Sequence, residues 1–389
     1  MAEELSYVLV TPYSIRKSRT GGILARLISR TGLDLVAARM FAPGKDLVKK
    51  YAANLINEDP DPGHRNTQLQ IKQYVEKNFA PDASGRPART LLLVFKGEDA
   101  VRKIRTTVGH IMNERTSGET IRDTFGDYIV DGNGAVSYFE PAVLAPPDSA
   151  SAGIDLKLWA SYSDTDGGLV ENAVEFPVGT QVEKTLVLIK PENFRFPSAR
   201  PGGVIDLFSR TGLYIIAFKV HRMSVAQAEE FYGPVLEVLM DKLRGRAGEQ
   251  ARKVLESEFK MPLSDDVQTK LGDVLGPTIG RDNWESIVKF MAGNKPSECP
   301  AEKRREPGTE KCIALVYQGV DAVRKIRDVL GPTDPSKAPT GTIRREFGST
   351  IMVNAAHASD SPENAQREMG IVNITENNLK PLIESWYAK

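Results

Sequence analysis

The sequence predicts an α+β fold made of two tandem copies of one unit. Three short sequence segments of the first part of the chain recur later in the same order. They are Ser29-Arg-Thr-Gly-Leu33 with Ser209-Arg-Thr-Gly-Leu213, Val101-Arg-Lys-Ile-Arg105 with Val323-Arg-Lys-Ile-Arg327, and Thr120-Ile-Arg122 with Thr342-Ile-Arg344. Ordered matches of this kind indicate an internal duplication, so both copies are expected to share one fold.

Each copy opens with a predicted strand, helix and strand. In the first copy the apolar run Tyr7-Val-Leu-Val ends at Thr11-Pro12, as a buried strand does where it leaves a sheet. A helix then opens with Gly21-Gly22 and ends at Gly32, a residue suited to the left-handed C-cap. The second copy repeats the pattern with Lys190-Pro191, Gly202-Gly203 and Gly212.

The second part of each copy predicts strand, helix, loop and a last strand. Leu91-Leu-Leu-Val-Phe95 and Cys312-Ile-Ala-Leu-Val-Tyr317 are the third strands, and the Val-Arg-Lys-Ile-Arg words form the following helices. The order βαββαβ predicts an antiparallel sheet with helices on one face, a ferredoxin-like sandwich. We therefore expect two ferredoxin-like domains in tandem, at residues 1–180 and 181–389.

Two stretches lie outside the repeated pattern. The second copy is longer between its second and third strands, where a helical insert is expected at about 235–283, with exposed amphipathic helices at 235–246 and 250–259. Residues 144–152, rich in Pro, Ala and Ser, are expected to form a flexible surface stretch between the copies.

Composition and charge exclude several classes of function. Lys+Arg and Asp+Glu both number 51, and this balance argues against a nucleic-acid or membrane-surface partner. No apolar run reaches the roughly 18 residues of a membrane span, and the chain opens without the features of a signal peptide. Cys299 and Cys312 lack partners at zinc spacing, so we expect no metal centre, reduced thiols and a cytoplasmic protein.

One segment of the second copy carries the candidate chemistry. Asn354-Ala-Ala-His357-Ala-Ser359-Asp360-Ser361 places a histidine among hydroxyls, downstream of Arg327 and Arg344. A neutral imidazole can accept a phosphoryl group while fixed cations hold the remaining phosphates. The chain has no Gly-x-x-x-x-Gly-Lys-Ser/Thr loop, so side chains would have to hold those phosphates.

Each of these residues also has an ordinary interpretation. His357 could be a buried structural histidine, Lys190 a strand-end lysine whose stem covers apolar surface, and Arg327 part of a solvated helix face. Their concentration in one fold segment favours the chemical interpretation.

With these residues in place, the second copy from Thr185 onward resembles a nucleoside diphosphate kinase. Lys190-Pro, Arg327-x-Val-Leu-Gly-Pro-Thr333, Gly341-Thr-Ile-Arg344, the Asn354–His357 motif and Glu-Asn-Ala-x-x-Glu368 follow the order of that family. The resemblance implies that His357 is the nucleophile, Glu368 orients its imidazole and Ser359 hydrogen-bonds near the transferred phosphoryl group. It also implies phosphate contacts from Lys190, Arg327, Thr333 and Arg344, ribose contacts from Asn354 and Lys190, and support of the lysine by Tyr232.

Two positions of the second copy depart from the family pattern. Ala358 stands where the family usually has glycine, which could restrict the backbone beside the nucleophile. Trp284 lies one position from the place of the aromatic residue that stacks on the nucleotide base in the family. It could therefore stack on the base, and the alternative is that it is a core tryptophan.

The first copy lacks parts of the motif. Thr11 stands where the second copy has Lys190, and aligning Ser163-Asp164 with Ser359-Asp360 puts Ser161 opposite His357. An alternative alignment at residues 133–136 also finds no histidine. Since Tyr51, Arg105 and Arg122 are retained, a weak anion site could persist, but we expect no phosphohistidine here. The expected role of this copy is to pair with the second as a neighbouring subunit does in the family.

The resemblance implies the reaction ATP + NDP to ADP + NTP, with ping-pong kinetics and Mg2+ on the nucleotide. The expected partners are nucleoside di- and triphosphates. A homo-oligomer is also expected, in which three copies of this chain would resemble a family hexamer. The main alternative is a nucleotide-binding regulatory or scaffold protein, and a weaker one is a phosphate relay from histidine to protein partners.

Overall fold

The structure, a computed structural model, describes residues 3–56, 62–111, 118–133 and 136–388. Two residues of the alternative alignment, Gly134 and Ala135, lie outside the described residues. The chain forms two compact units, one comprising Met1–Val220 with Ile313–Lys389 and the other His221–Cys312. The larger unit contains all the strand pairs described below.

The first half of the larger unit contains six strands and seven helices in the part of the chain that is described. The strands are β1 Glu3–Val10, β2 Asp34–Phe41, β3 Thr90–Glu98, β4 Asp127–Val130, β5 Val136–Glu140 and β6 Val143–Leu144. The helices are α1 Pro12–Arg16, α2 Thr20–Thr31, α3 Lys45–Asn54, α4 Pro62–Asn78, α5 Ala100–Val108, α6 Ile121–Phe125 and α7 Ser149–Ser161.

The main sheet of this half has the order β2-β3-β1-β6, and β4 pairs with β5 apart from it. Strand β1 lies antiparallel to both of its neighbours, with Tyr7 opposite Val94 and Leu9 opposite Leu144. This order and direction are those of a βαββαβ sandwich, which confirms the predicted fold class. The expectation of a flexible stretch at 144–152 is wrong, because Leu144 is paired in the sheet and α7 begins at Ser149.

The second half repeats this topology. Its strands are β7 Glu183–Ile189, β8 Tyr214–His221, β9 Cys312–Gly319 and β10 Ala356–Ala358. Its helices are α8 Arg200–Phe208, α9 Val225–Phe259, α10 Asp265–Ala292, α11 Ala322–Leu330, α12 Ile343–Phe347, α13 Pro362–Ile371 and α14 Leu379–Tyr387. The sheet order β10-β7-β9-β8 corresponds strand by strand to that of the first half and supports a tandem duplication.

Both helices that open with paired glycines end as predicted. Gly32 follows α2 with φ 64°, and Gly212 follows α8 and a short 3-10 turn with φ 69°. Both glycines are in the left-handed conformation that ends a helix without strain. The C-cap prediction is therefore confirmed in both halves.

The halves pack against each other through α2 and α8. A Cβ atom on Gly21 would lie 2.4 Å from the backbone nitrogen of Asp206, and one on Gly202 would lie 2.3 Å from that of Ala25. Only glycine permits so close an approach of two helix backbones. Buried apolar residues of both halves, such as Ile23 and Val204, belong to one continuous core.

The expectation of helices on one face of the sheet is incomplete for the first half. Helices α2 and α5 cover one face, whereas α3, α4 and α7 form a second apolar core on the other. Helix α14, at the end of the chain, joins this second core by burying Leu379 and Ile383. Strands β1 and β3 are near-continuous apolar runs with no outward polar face, a pattern typical of strands covered on both faces, so the sequence indicated a second layer without showing which helices form it.

The smaller unit, His221–Cys312, is a hairpin of two long helices. The helices predicted at 235–246 and 250–259 are wrong as separate elements, because α9 runs without a break from Val225 to Phe259. Its start has a capping box, in which Ser224 and Gln227 exchange side-chain and backbone hydrogen bonds. Glycines of α10 meet the α9 backbone directly, since a Cβ on Gly280 would lie 2.6 Å from Cα of Met240.

No helix in the part of the chain that the structure describes combines the length and apolar character that crossing a membrane requires.

Candidate active site

His357 lies in β10, at the edge of the second sheet. The strand pairs antiparallel with β7, which puts His357 opposite Leu188. The side chain of His357 is 24% exposed, while Ala356 and Ala358 beside it are buried. The imidazole is therefore held on a rigid strand and remains accessible to a small molecule.

Helix α13 supplies a carboxylate to the imidazole. Oε2 of Glu368 lies 2.8 Å from Nε2 of His357 and accepts the hydroxyl of Ser359 at 2.6 Å. The helix begins at Pro362, and the side chain of Ser361 caps it by accepting the N–H of Asn364 at 3.0 Å. A carboxylate on Nε2 favours the tautomer with its proton there, so that Nδ1 is the nitrogen with a lone pair.

Ser359 is fully buried, and its hydroxyl donates to Glu368. This hydrogen bond helps to hold the carboxylate next to the imidazole. A contact of Ser359 with a phosphoryl group stays a prediction.

Lys190 follows β7 and is buried beside Asn354. Its ammonium group donates to the carbonyl of Met352 and, at 3.0 Å, to Oδ1 of Asn354. Burial lowers the pKa of Lys190 to about 8, partly opposed by the nearby charge of Glu192 and reinforced by that of Arg344. A buried ammonium group of this kind would gain from an anion placed next to it.

Asn354 and Arg344 connect the loops around this lysine. The amide of Asn354 donates to the carbonyl oxygens of Thr333, at 3.1 Å, and Ile351, at 2.8 Å. Arg344 donates to Gly331 at 3.0 Å and to Ala356 at 3.2 Å, and the latter precedes His357 directly. Arg327 and Thr333 are exposed on α11 and on the loop that follows it.

Two residues named from the sequence belong to the smaller unit. Tyr232 lies on α9 and Trp284 on α10, where the indole N–H of Trp284 donates to the carbonyl of Tyr232 at 2.9 Å. Trp284 is buried, which fits its interpretation as a core tryptophan. Support of Lys190 by Tyr232 stays a prediction.

The expected effect of Ala358 on the backbone is not observed. Ala358 is part of β10 and pairs with Val187 in extended conformation. The residue with a left-handed backbone is instead Ala355, with φ 72°. An extended position accepts alanine as readily as glycine, so Ala358 does not restrain the nucleophile.

The residues that hold Ala355 in place belong to no motif that marks them in the sequence. The N–H of Ala355 donates to Oε1 of Glu192 at 2.9 Å, and its carbonyl accepts the amide of Asn193 at 2.8 Å. The available signal was two polar residues directly after the Lys190-Pro191 strand end. Neither residue could be linked to Ala355 from sequence spacing, because more than a hundred and sixty positions separate them.

The assignment of Ser161 opposite His357 is wrong. Val10 pairs with Val143 as Ile189 pairs with Ala356, so the position of His357 is occupied by Leu144. Ser161 ends α7 instead. The shared Ser-Asp spacing misled the alignment, whereas backbone pairing fixes the register.

The buried surroundings also differ between the halves. Asp155 is the counterpart of Glu368, because the two lie equally far from the N-caps of their helices, Asp148 and Ser361. Its carboxylate accepts hydrogen bonds from the hydroxyl of Tyr7 at 2.7 Å and from the amide of Asn54 at 2.9 Å. Burial raises the pKa of this carboxyl. In the first half, a closed tyrosine–carboxylate network therefore replaces the histidine–carboxylate pair.

Known proteins resemble this chain over about half its length. The family model "Nucleoside diphosphate kinase" matches residues 307–377. The nucleoside diphosphate kinase of Kosmotoga olearia is 30% identical over 190 residues, which are 49% of this chain and 88% of that protein. That of Pyrobaculum aerophilum is 30% identical over 198 residues, 48% of this chain and 93% of that protein. Among solved structures, an NDP kinase from Pyrobaculum aerophilum is 27% identical, with 51% of this chain and 100% of that chain covered and a TM-score of 0.33.

The family model and the two sequence relatives place the chain among the phosphotransferases that act on nucleotides. More specifically, the chain belongs to the nucleoside diphosphate kinase family.

Proposed function

We propose that this protein is a nucleoside diphosphate kinase that carries the γ-phosphoryl group of a nucleoside triphosphate on His357. The observation that supports this most directly is the Glu368 carboxylate on Nε2 of His357 in a member of this family. Two cations bind the residues just before His357, since Lys190 donates to Asn354 and Arg344 to the carbonyl of Ala356. Histidine, carboxylate and cations together meet the needs of a nucleophile for phosphoryl transfer.

The reaction has two matching halves. The lone pair on Nδ1 of His357 attacks the γ-phosphorus, an N–P bond forms, and the bond from that phosphorus to the β,γ-bridging oxygen breaks. The bonding electrons leave with the nucleoside diphosphate. In the second half a terminal oxygen of another diphosphate attacks the phosphohistidine, the N–P bond breaks, and its electrons return to Nδ1. This alternation is the basis of the proposed ping-pong kinetics.

The cations act on the charge of the phosphates. We assign Lys190, Arg327, Thr333 and Arg344 to phosphate contacts, and Asn354 with Lys190 to the ribose hydroxyls. At an effective dielectric of about 20, a cation 4 Å from a unit charge contributes roughly 4 kcal/mol before desolvation. Fixed cations of this strength stabilise the charge spread over the equatorial oxygens of the transition state.

Mg2+ would arrive bound to the nucleotide as part of the substrate. Among the described residues no cluster of three or more His, Cys, Asp or Glu side chains is available to hold a metal ion. Magnesium commonly takes phosphate oxygens and water instead of a complete protein cage. The charge of the magnesium nucleotide then faces the basic side chains of the site.

We further propose that the first half, residues 1–180, supports the active half, residues 181–389. With Leu144 where a histidine would be needed, it has no nucleophile for the reaction. It does hold the chain beyond α13, since Arg39 donates to the carbonyl of Glu376 at 3.1 Å and Lys380 pairs with Asp164 at 2.9 Å. In this way the first half holds the segment that follows the helix carrying Glu368. Three such chains assembling as a hexamer-like trimer, in the cytoplasm, complete the proposal.

Labelling with γ-32P-ATP tests the proposed enzyme. The wild type is expected to take up acid-labile, base-stable label, and His357→Gln is expected to take up none. The matched control is His110→Gln, a histidine of the first half, which should label like the wild type. Label retained by His357→Gln would dismiss the proposal, and nucleotide binding without label would favour a regulatory protein.

A further inference from the structure

The backbone next to the nucleophile is in a conformation that alanine rarely adopts. Ala355 has φ 72° and is fully buried. For an L-residue this left-handed conformation costs roughly 1–2 kcal/mol, so its surroundings must stabilise it. Ala355 comes two residues before His357, so a change in its dihedral angles would turn the start of β10 and move the imidazole.

Both polar groups of Ala355 are held by the segment that follows β7. The N–H donates to the Glu192 carboxylate at 2.9 Å. The carbonyl accepts the backbone N–H of Lys190 at 3.0 Å and the side-chain amide of Asn193 at 2.8 Å. The same amide donates to the carbonyl of Lys190 at 3.0 Å. Glu192 and Asn193 thus connect the strand of the nucleophile to the strand end that presents the buried lysine.

We propose that Glu192 and Asn193 are positioning residues for phosphoryl transfer, which hold Ala355 in its left-handed conformation and so set the place of the His357 imidazole relative to Lys190. The inference rests on the proposed kinase function. Glu192 and Asn193 are buried, at 8% and 1% exposure, and neither needs to touch the nucleotide.

The first half contains the same turn without the chemistry. Ala142 has φ 61°, its N–H donates to Glu140 at 3.2 Å, and its carbonyl accepts Thr11 N–H at 3.2 Å and the Ser14 hydroxyl at 2.8 Å. The left-handed alanine is therefore a property of the fold. What is particular to the second half is that the carboxylate comes from the strand end of Lys190, and so joins lysine and histidine.

Glu192→Ala and Glu192→Gln, with Glu140→Gln as the matched control, test the positioning role. Displacing the ring by about 1 Å can cost as much as a hundredfold in rate. We expect kcat for phosphoryl transfer to fall about tenfold or more in Glu192→Ala, with a smaller change in KM, and Glu192→Gln to recover part of the rate. Glu140→Gln should lower the melting temperature and leave kcat unchanged.

A double variant separates the turn from the charge on Lys190. Glycine adopts a positive φ without strain, so Ala355→Gly in the Glu192→Ala background is expected to restore most of the lost kcat. No recovery would contradict an action through Ala355. Unchanged kcat in Glu192→Ala, per folded molecule, would overturn the proposal as a whole.

NMR of the histidine ring in 15N-histidine-labelled, nucleotide-free protein gives a readout independent of turnover. Glu192→Ala is expected to shift the His357 ring signals, and Ala355→Gly to bring them back. Unmoved signals would contradict the positioning role. Absence of phosphate label in the wild type would instead refute the kinase proposal, so the two failures are distinguishable.

Discussion

The buried ammonium group of Lys190 predicts a measurable proton uptake when nucleotide binds. Lowering the pKa of this lysine from 10.5 to about 8 corresponds to about 3 kcal/mol of unfavourable burial of the charge. A diphosphate next to the ammonium group opposes this cost and should return the pKa towards its ordinary value. Free protein that is partly neutral at Lys190 above pH 8 must then take up a proton as it binds ADP.

Isothermal titration calorimetry measures that uptake. Titrations of MgADP at pH 7, 8 and 9 in buffers of different ionisation enthalpy should give an uptake near zero at pH 7, about half a proton at pH 8 and nearly one at pH 9. Lys190→Met is expected to lose the pH-dependent part. An uptake that is absent in the wild type, or unchanged in Lys190→Met, would refute the placement of Lys190 against the phosphates.

The same shift predicts a change of stability with pH. Below about pH 8 the lysine is charged in both folded and unfolded protein, so the cost of burial is fully present. Between about pH 8 and 10.5 the unfolded chain binds more protons, so the contribution of Lys190 makes the free energy of unfolding rise with pH.

Further predictions use the first half as a built-in control. Arg344→Ala should reduce kcat/KM by about a hundredfold, roughly 3 kcal/mol of transition-state stabilisation. The matched control is Arg122→Ala, which removes the corresponding hydrogen bonds of the first half, to Gly109 and Val143. This control should leave kcat/KM unchanged. Equal losses in the two variants would show that Arg344 acts on the fold alone. Gly202→Ala should lower the free energy of unfolding by about 2 kcal/mol or more, since its Cβ would meet backbone atoms of α2. Gly233→Ala, whose Cβ meets nothing within 4 Å in α9, should instead raise the free energy of unfolding by roughly 0.5–1 kcal/mol, because alanine favours a helix interior over glycine. Denaturation in urea compares the two variants.

Much of the fold could be predicted because identical sequence segments in the two halves reveal the duplication. Strand ends at Thr11-Pro12 and Lys190-Pro191, the C-caps at Gly32 and Gly212, and the order of the elements all follow from local chemistry. The second layer of helices could not be predicted in the same way. Helices α3, α4 and α7 form most of that layer, and α14 completes it by returning from the end of the chain to the first half, a contact that local patterns do not encode.

The sequence predicted those parts of the candidate site whose chemistry depends on residue type. It did not predict the parts that depend on backbone geometry. His357 and Glu368 lie within hydrogen-bond distance, as the motif implied. Leu144, the counterpart of His357, was missed because Ser163-Asp164 matches the sequence of Ser359-Asp360, whereas the residues of β6 do not resemble those of β10. The holding of Ala355 by Glu192 was missed because a positive φ at alanine leaves no trace in the sequence.

We propose that the His357 imidazole carries phosphate from a donor nucleotide to an acceptor. A chase of the phosphorylated protein separates this transfer from hydrolysis of the phosphohistidine. Protein labelled with γ-32P-ATP, freed of nucleotide and mixed with unlabelled GDP should lose the label from His357 and release it as GTP. Label that stays on the protein, or leaves only as inorganic phosphate, would contradict transfer through His357.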